Sequence, residues 1–331
     1  MSDSTNRNMP LVTVALAVYN NAANIEECLQ CYEKQTYPKM EILCIDDCSN
    51  DNSVEILRRH AESDPRYRII EKENNAGLSD TRNISIYEAK GEYLYLCDAD
   101  DICDPDMIEK AVTKAEEDKA DMVIWDFYEF GKQIYRLMKK NDPSRLREDM
   151  SRKDLCHIGS FMWTHLFRTS SLRKLNLPFP LGRTKQDLPV HCAACVSFEK
   201  ISVIPERLYG YRIGDSQISR KKGLVLLDFI YVHDYLKEYL EKSGQFDAYS
   251  ADYYQSLANA MCSIDATINA EYRNEAREEC RRHLCPELGT AVKGMDRNVK
   301  LFISSLSGNR MAGLLLFILQ SLQTLYRKIK H

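Results

Sequence analysis

What this chain lacks narrows its roles before any motif is read. No apolar run approaches the roughly 20 residues that a membrane-spanning helix requires, and Met311–Leu319 is far too short. Basic residues are not in excess: 45 Lys and Arg stand against 49 Asp and Glu, a net charge of −4. That balance argues against a general nucleic-acid binder, whose phosphate contacts leave a basic footprint. No G-x-G-x-x-G follows the first strand-like segment, which disfavours a dinucleotide-dependent oxidoreductase. An export signal is missing from the start as well. Met1–Pro10 is polar, and Leu11–Val18 is too short and poorly flanked for the apolar region of a signal peptide. The expectation is a cytoplasmic protein. Neither an internal repeat nor a low-complexity tract is present.

Cysteine, by contrast, is plentiful. Twelve thiols in a chain without an export signal are expected to stay reduced. Cys28/Cys31 and Cys192/Cys195 have the C-x-x-C spacing that raises zinc or redox chemistry. The plainer reading is small buried apolar side chains, since Cys28 falls on the apolar face of a helical pattern with Ile25, Leu29 and Tyr32. Hydrophobic residues make up 44% of the 331, enough for one large α/β domain and a smaller appendage.

The first 127 residues alternate two periods. Strand patterns occur at Val12–Val18, Glu41–Ile45, Arg68–Glu71, Tyr93–Cys97 and Met122–Phe127. Between them lie helical patterns: the Ile25–Tyr32 face, a segment with Val54, Leu57 and Ala61 that Ser49 or Asp51 can cap, Ser79–Ala89, and Met107–Glu117. Such alternation predicts a parallel sheet covered on both faces. Three strands end in polar residues, at Tyr19-Asn20, Asp46-Asp47 and Asp98–Asp101. Ligands of open parallel sheets bind beyond the carboxyl ends of the strands, so these residues are placed to meet in one crevice. Residues 128–155 read as a charged surface connection, and residues 224–285 show helical spacing, for example at Leu227, Ile230, Tyr231, Tyr235 and Leu236.

Asp98-Ala99-Asp100-Asp101 is the sharpest local signal. Carboxylates two residues apart, just past a strand, can share a divalent cation with a diphosphate, and hard oxygen ligands suit Mg²⁺ or Mn²⁺. The alternative is an acidic turn that caps a helix beginning near Asp104. Around this turn, further segments fall into a recognisable order: Val12–Asn20, Gln35-Thr-Tyr-Pro38, Glu41–Ser49, Asp51-Asn-Ser53, Asn75-Ala-Gly-Leu-Ser79, Arg82-Asn83, Lys90-Gly-Glu-Tyr93 and Cys97–Asp101. In this order and spacing the chain resembles the family-2 glycosyltransferases, which have the GT-A fold.

The resemblance implies an α/β architecture, a GT-A Rossmann-like and mainly parallel sheet covered by helices, over residues 10–220. Its nucleotide-binding half would be 10–127 and its acceptor half 128–220. A flexible stretch, 1–9, would precede it, and a C-terminal helical extension, 221–331, would follow. Ala17 and Tyr19 would lie at the nucleotide-sugar, Tyr19 flanking the base. Asp47 would hydrogen-bond the base, usually uracil, and Arg82 would face the base or the diphosphate. Asp98 would lie near the ribose, and Asp100 would be the principal protein ligand of a divalent metal, with Asp98 a second candidate. Elementary chemistry is consistent: a carboxylate accepts from a pyrimidine N–H, and arginine brings five donors. The plain alternatives are a core aromatic at Tyr19, a turn residue at Asp47 and a solvated helix residue at Arg82.

In the second half the family pattern places the general base of inverting transfer in an acidic pair. Asp187 matches that position, whereas Gln186 departs from the usual Glu. A helix N-cap before Leu188-Pro189 is the alternative for Asp187. Tyr209-Gly-Tyr-Arg212, followed by Ser216 and Ser219, resembles a late segment near the donor, where Arg212 would contact phosphate; an ordinary surface strand is the alternative. Trp163 and His165 are expected in a stretch lining the acceptor pocket, and His157, His165 and His191 form no metal motif.

No acidic residue follows Asp296. The tail carries Arg297, Lys300, Arg310, Arg327, Lys328 and Lys330 around the apolar Met311–Leu319, Leu322 and Leu325. Such a segment can lie on an anionic membrane surface or dock as a terminal helix; bacterial members of the family that use lipid-linked acceptors favour the former. The expectation is an inverting, metal-dependent transferase. It would move sugar from a nucleotide-sugar donor, a UDP-sugar, to a glycan or lipid-linked acceptor in surface polysaccharide or glycolipid assembly. No nucleic-acid partner is expected. A catalytically silent sugar-nucleotide-binding subunit is one alternative. A nucleotidyltransferase is another, although Tyr19-Asn-Asn-Ala-Ala23 offers no glycine-rich phosphate loop.

Overall fold

Val12–Val18 forms β1 and is buried almost throughout, which explains a continuous apolar run in place of alternation. Val12, Val14, Leu16 and Val18 enter one core with Ile25, Leu29 and Tyr32 of α1 (Ile25–Glu33). A fully buried aliphatic side chain contributes about 1.5–3 kcal/mol, and a one-residue slip would exchange the faces of the strand. The register of β1 is therefore strongly specified.

The chain continues through β2 (Met40–Asp46), α2 (Ser53–Ser63), β3 (Tyr67–Glu71), α3 (Leu78–Glu88), β4 (Tyr93–Asp98), β5 (Ile102–Cys103), α4 (Met107–Asp118) and β6 (Met122–Gly131). After these come α5 (Arg152–His157), β7 (His165–Arg168), α6 (Thr169–Lys174), α7 (Asp187–Ser197) and β8 (Ile201–Ile213). The strands form one sheet in the order β3-β2-β1-β4-β7-β6-β8-β5. β3, β2, β1 and β4 are parallel neighbours, and β6 is parallel to β8. β7 runs antiparallel to β4 and β6, and β5 antiparallel to β8. The α/β sheet is thus mixed, its parallel half being the one whose alternation the sequence displays. Four residues are too few to reveal a period, so β7 carries no sequence signal. β6 runs to Gly131, beyond the expected end at Phe127, because β8 pairs with it along that whole length.

The computed structural model describes residues 9–131, 143–213 and 223–316. Two units are distinguished, Met1–Gly182 with Gln186–Gln217, and Arg183–Lys185 with Ile218–His331. The second is helical, built from α8 (Asp228–Lys242), α9 (Phe246–Thr267), α10 (Arg273–Arg282), α11 (Pro286–Ala291) and α12 (Arg297–Leu306). Its core includes Ile230, Leu236, Leu257, Met261 and Phe302, and a buried Asp265 carboxylate is paired with Arg277 at 2.6 Å. Residues 310–316 are helical and expose Met311, Leu314 and Leu315. Among the described residues no helix is long and apolar enough to cross a membrane. The basic end of the tail (Arg327, Lys328 and Lys330), residues 1–8, Ser216 and Ser219 lie outside the described residues.

Candidate active site

The parallel register aligns Ala17 with Ile45 on one side and Asp98 on the other, and Val18 with Asp46. Tyr19, Asp47 and Asp98 therefore stand at one edge of the sheet, beyond or at the carboxyl ends of β1, β2 and β4. Tyr19 is 48% exposed, so it is no core aromatic. The loops past β1 and β2 are laced together: Ser49 Oγ accepts from the Asn20 N–H at 2.9 Å, and Asp51 accepts from the Ala22 N–H at 2.9 Å. Asp51 also accepts from the N–H of Ser53, the first residue of α2, at 3.0 Å, as expected of a cap, while the N-cap position itself is held by Asn52 without a side-chain bond.

Asp47 is buried. Its carboxylate accepts from Lys72 Nζ at 2.5 Å and from the N–H groups of Ala76 and Gly77 at 2.9 and 2.7 Å. Gly77 has φ +87° just before α3, a conformation that favours glycine. Asp47 thereby pins the Asn75–Ser79 segment to the sheet edge. A carboxylate has about four acceptor positions, and three are used here. No motif pointed to Lys72, which also pairs with Asp80 at 2.6 Å.

Arg82 is 3% exposed, not a solvated helix residue. From α3 its guanidinium bridges Asp98, at 3.2 Å, and Asp187, which lies 105 residues further along the chain. The Asp187 side chain is 16% exposed and also accepts from the Met162 N–H at 3.4 Å. Burial pushes its pKa upward, and the Arg82 charge pulls it back. Asp187 is the first residue of α7 rather than its N-cap; the cap position is Gln186, with no side-chain bond.

The acidic turn does not cap α4, whose N-cap position is Asp106. Asp101 instead fastens the turn to β8, accepting from Tyr209 O–H and the Arg212 N–H, both at 2.7 Å. Burial, then the neighbouring carboxylates Asp100 and Asp98, raise the Asp101 pKa well above the usual range. Desolvation, with Asp98 adding to it, pushes Asp100 up to about 6. Arg212 donates from Nε to the Asp100 carbonyl and from Nη2 to Glu27, both at 2.6 Å, so its charge sits beside this turn. Asp98 and Asp100 offer hard oxygen donors in an electrostatically strained pair, a set that fits a divalent cation taking few protein ligands.

Residues 13–175 match the family model described as "Glycosyl transferase family 2". Those residues are a family-2 glycosyltransferase domain. Glycosyltransferase GlyG of Streptococcus pneumoniae is 38% identical over 120 residues, which are 36% of this chain and 40% of GlyG. The chain thus spans less than half the length of that relative. Among solved structures, S. aureus TarS 1-349 in complex with UDP-GlcNAc has a TM-score of 0.56 at 17% identity, covering 87% of this chain and 90% of the other. The mannosyltransferase PcManGT from Pyrobaculum calidifontis, in complex with GDP-Man and Mn2+, has a TM-score of 0.50 at 18% identity, covering 95% and 80%. The fold of this glycosyltransferase domain is GT-A-like.

One sequence expectation changes within the glycosyltransferase domain. Trp163 and His165 are buried and cannot line a pocket. They support the turn of Phe161 and Met162: Phe161 O accepts from His165 Nδ1 at 2.6 Å, Trp163 stacks on the Phe161 ring, and the Met162 N–H meets Asp187. His165 and His191 are hydrogen-bonded to each other at 3.0 Å, and burial lowers both pKa values. The C-x-x-C pairs are not disulfides, since all twelve cysteines are free. Among the described residues no group of three or more His, Cys, Asp or Glu is arranged to hold a metal ion. Any cation at Asp100 would draw most of its ligands from substrate and water.

Proposed function

We propose that this chain transfers a glycosyl group from a UDP-sugar to a hydroxyl of a glycan or lipid-linked acceptor, with inversion. The observation that carries it is the Arg82 bridge: one buried guanidinium joins Asp98, at the donor edge of the sheet, to Asp187. In this reading Asp187 is the general base. The acceptor oxygen attacks the anomeric carbon, its proton passes to Asp187, and the bond from that carbon to the diphosphate oxygen breaks. A desolvated carboxylate suits the task, because a raised proton affinity strengthens the base near working pH. Arg82 keeps Asp187 ionised and brings positive charge to where the diphosphate would lie. Tyr19 and Asp47 hold the base end of the nucleotide, with Ala17 beside Asp98, and Arg212 supports the phosphate end. Asp100, with Asp98, would hold Mg²⁺ or Mn²⁺, and such a cation stabilises the leaving diphosphate as a Lewis acid. The Mn2+ of the Pyrobaculum neighbour and the UDP-GlcNAc of TarS are in keeping with a divalent metal and a UDP-sugar.

Residues 10–127 serve the nucleotide and 128–220 the acceptor, with 221–331 as a helical extension. The setting we propose is the cytoplasmic face of the cell membrane, in surface polysaccharide or glycolipid assembly. A mass-spectrometric screen of nucleotide-sugars, with membrane extract as acceptor source, tests the whole reading. Nucleotide release that rises with acceptor is the expected result. Tight binding of a UDP-sugar with no release under any condition would instead identify a silent binding subunit, a role consistent with Gln186 at the usual Glu position.

A further inference from the structure

Phe161 is a large apolar side chain left 37% exposed in surroundings otherwise built to hold it. Its ring is stacked on Trp163 at 4.8 Å between centroids and 13° between planes, and Phe127 meets it edge-on at 5.5 Å. Trp163 is itself stacked on Tyr209, at 4.6 Å and 15°, and on Tyr211, at 5.3 Å and 9°. Tyr209 ends the column by donating to Asp101 at 2.7 Å. A row of parallel rings thus runs from the acidic turn to the surface.

The backbone around the exposed ring is fixed to the same end. Phe161 N–H donates to Gly159 O at 3.0 Å, and Phe161 O accepts from Thr164 Oγ1 at 2.8 Å and His165 Nδ1 at 2.6 Å. A Cβ at Gly159 would fall 2.2 Å from the Phe161 ring, so glycine there makes room for this aromatic. The next residue, Met162, gives its N–H to Asp187 at 3.4 Å. The ring is therefore carried by the residue next to the one whose N–H meets the carboxylate assigned as base.

We propose that the exposed ring of Phe161 is the platform on which the terminal sugar ring of the acceptor rests, beside Asp187. This rests on the transferase reading above. A pyranose has a flat face of C–H bonds, and the negative face of an aromatic ring attracts such polarised hydrogens while leaving the hydroxyls free at the rim. A sugar lying flat on Phe161 can present a rim hydroxyl to the neighbouring carboxylate. A single rigid ring next to the base suits one cyclic residue better than a long acyl chain, which needs an extended groove.

The test needs no turnover. Saturation-transfer NMR is run on the full chain, with and without UDP, against methyl glucoside, methyl galactoside and methyl N-acetylglucosaminide. Octyl glucoside is the apolar control. F161A, F161W and G159A are compared with wild type, and UDP affinity and the melting curve are measured for each. Wild type is expected to saturate the C–H protons of at least one methyl pyranoside. F161A should weaken that binding by about 10-fold or more, F161W should retain it, and G159A should weaken it in the same direction. UDP affinity should be unchanged throughout. The proposal is overturned if wild type binds no methyl pyranoside, if binding requires the octyl chain, or if F161A binds as wild type does. Loss of UDP affinity together with pyranoside binding in F161A would also overturn it. Pyranoside binding that behaves as expected, with no release of nucleotide from any UDP-sugar, would leave this platform standing and sink the transferase reading instead.

Discussion

Tyr19, Asp47, Asp98 and Asp100 stand at or just past the ends of adjacent parallel strands, whereas Phe161, Met162 and Asp187 come from a tight turn and a helix start on either side of an antiparallel strand. The first group is positioned by register: once β1 pairs with β2 and β4, Ala17 must lie beside Asp98. The second group is positioned by long-range contacts, above all the reach of Arg82 to Asp187. A side built on register keeps its strand ends in place when one side chain is lost, although Asp47 also anchors the Asn75–Ser79 segment. A side built on a buried ion pair does not, because removing one partner leaves an uncompensated charge.

That contrast can be tested by breaking each side in turn. Asp100→Ala should have the largest effect, lowering transfer on the order of 10³-fold or more, since the proposed cation contributes several kcal/mol to the leaving diphosphate. The melting curve should hardly move; full activity in excess chelator would remove the metal from the scheme. Asp187→Asn should lower turnover by roughly 10²–10⁴-fold, the usual share of a general base. UDP affinity, read by calorimetry, should change far less than turnover. Equal losses would place Asp187 on the donor side.

Arg82→Gln sharpens the comparison through pH. The Arg82 charge lowers the proton affinity of Asp187, against burial that raises it. Its removal should therefore raise the Asp187 pKa further. In the proposed mechanism turnover requires the ionised carboxylate, so the acid limb of the rate profile should move to higher pH, by about 1 unit or more. Thermal stability should fall as well, by up to about 3 kcal/mol if the partly buried carboxylates cannot rearrange. An acid limb that stays in place would uncouple Arg82 from the base.

Smaller effects follow on the donor side and in the tail. Asp47→Ala should weaken UDP binding by about 1–3 kcal/mol, the cost of unpaired polar groups, here including those of the loosened Asn75–Ser79 segment. Unchanged affinity would make Asp47 an internal anchor alone. Removing residues 310–331 should release the protein from anionic vesicles at low salt, at about 1 kcal/mol per basic residue, with UDP binding intact. A protein that ignores such vesicles before truncation would refute membrane attachment, and a large drop in melting temperature would instead mark a docked terminal helix.

The proposed donor side was legible because its residues are tied to short-range pattern. A strand read from period and burial carries its terminal residue with it, so Tyr19, Asp47 and Asp98 could be placed together from alternation alone. Lys72 was not legible, since a lysine past a short strand carries no signal until Asp47 is seen to turn inward. The proposed acceptor side was half legible. Asp187 came from resemblance, while Trp163 and His165 were expected at a surface and lie inside. An aromatic or imidazole side chain gives the same letter whether it lines a pocket or supports the residue that does.

By itself the sequence determined the parallel half of the sheet, the helices that cover it and the acidic turn, because burial on both faces enforces continuous apolar runs and polar strand ends. Only the tertiary structure decided where β7 inserts, that Asp101 serves the fold by holding β8, and that Arg82 is buried between Asp98 and Asp187. The reason is physical: local periodicity reports which face of an element is apolar, whereas ion pairs and ring stacks between distant segments depend on packing that no single window of sequence contains.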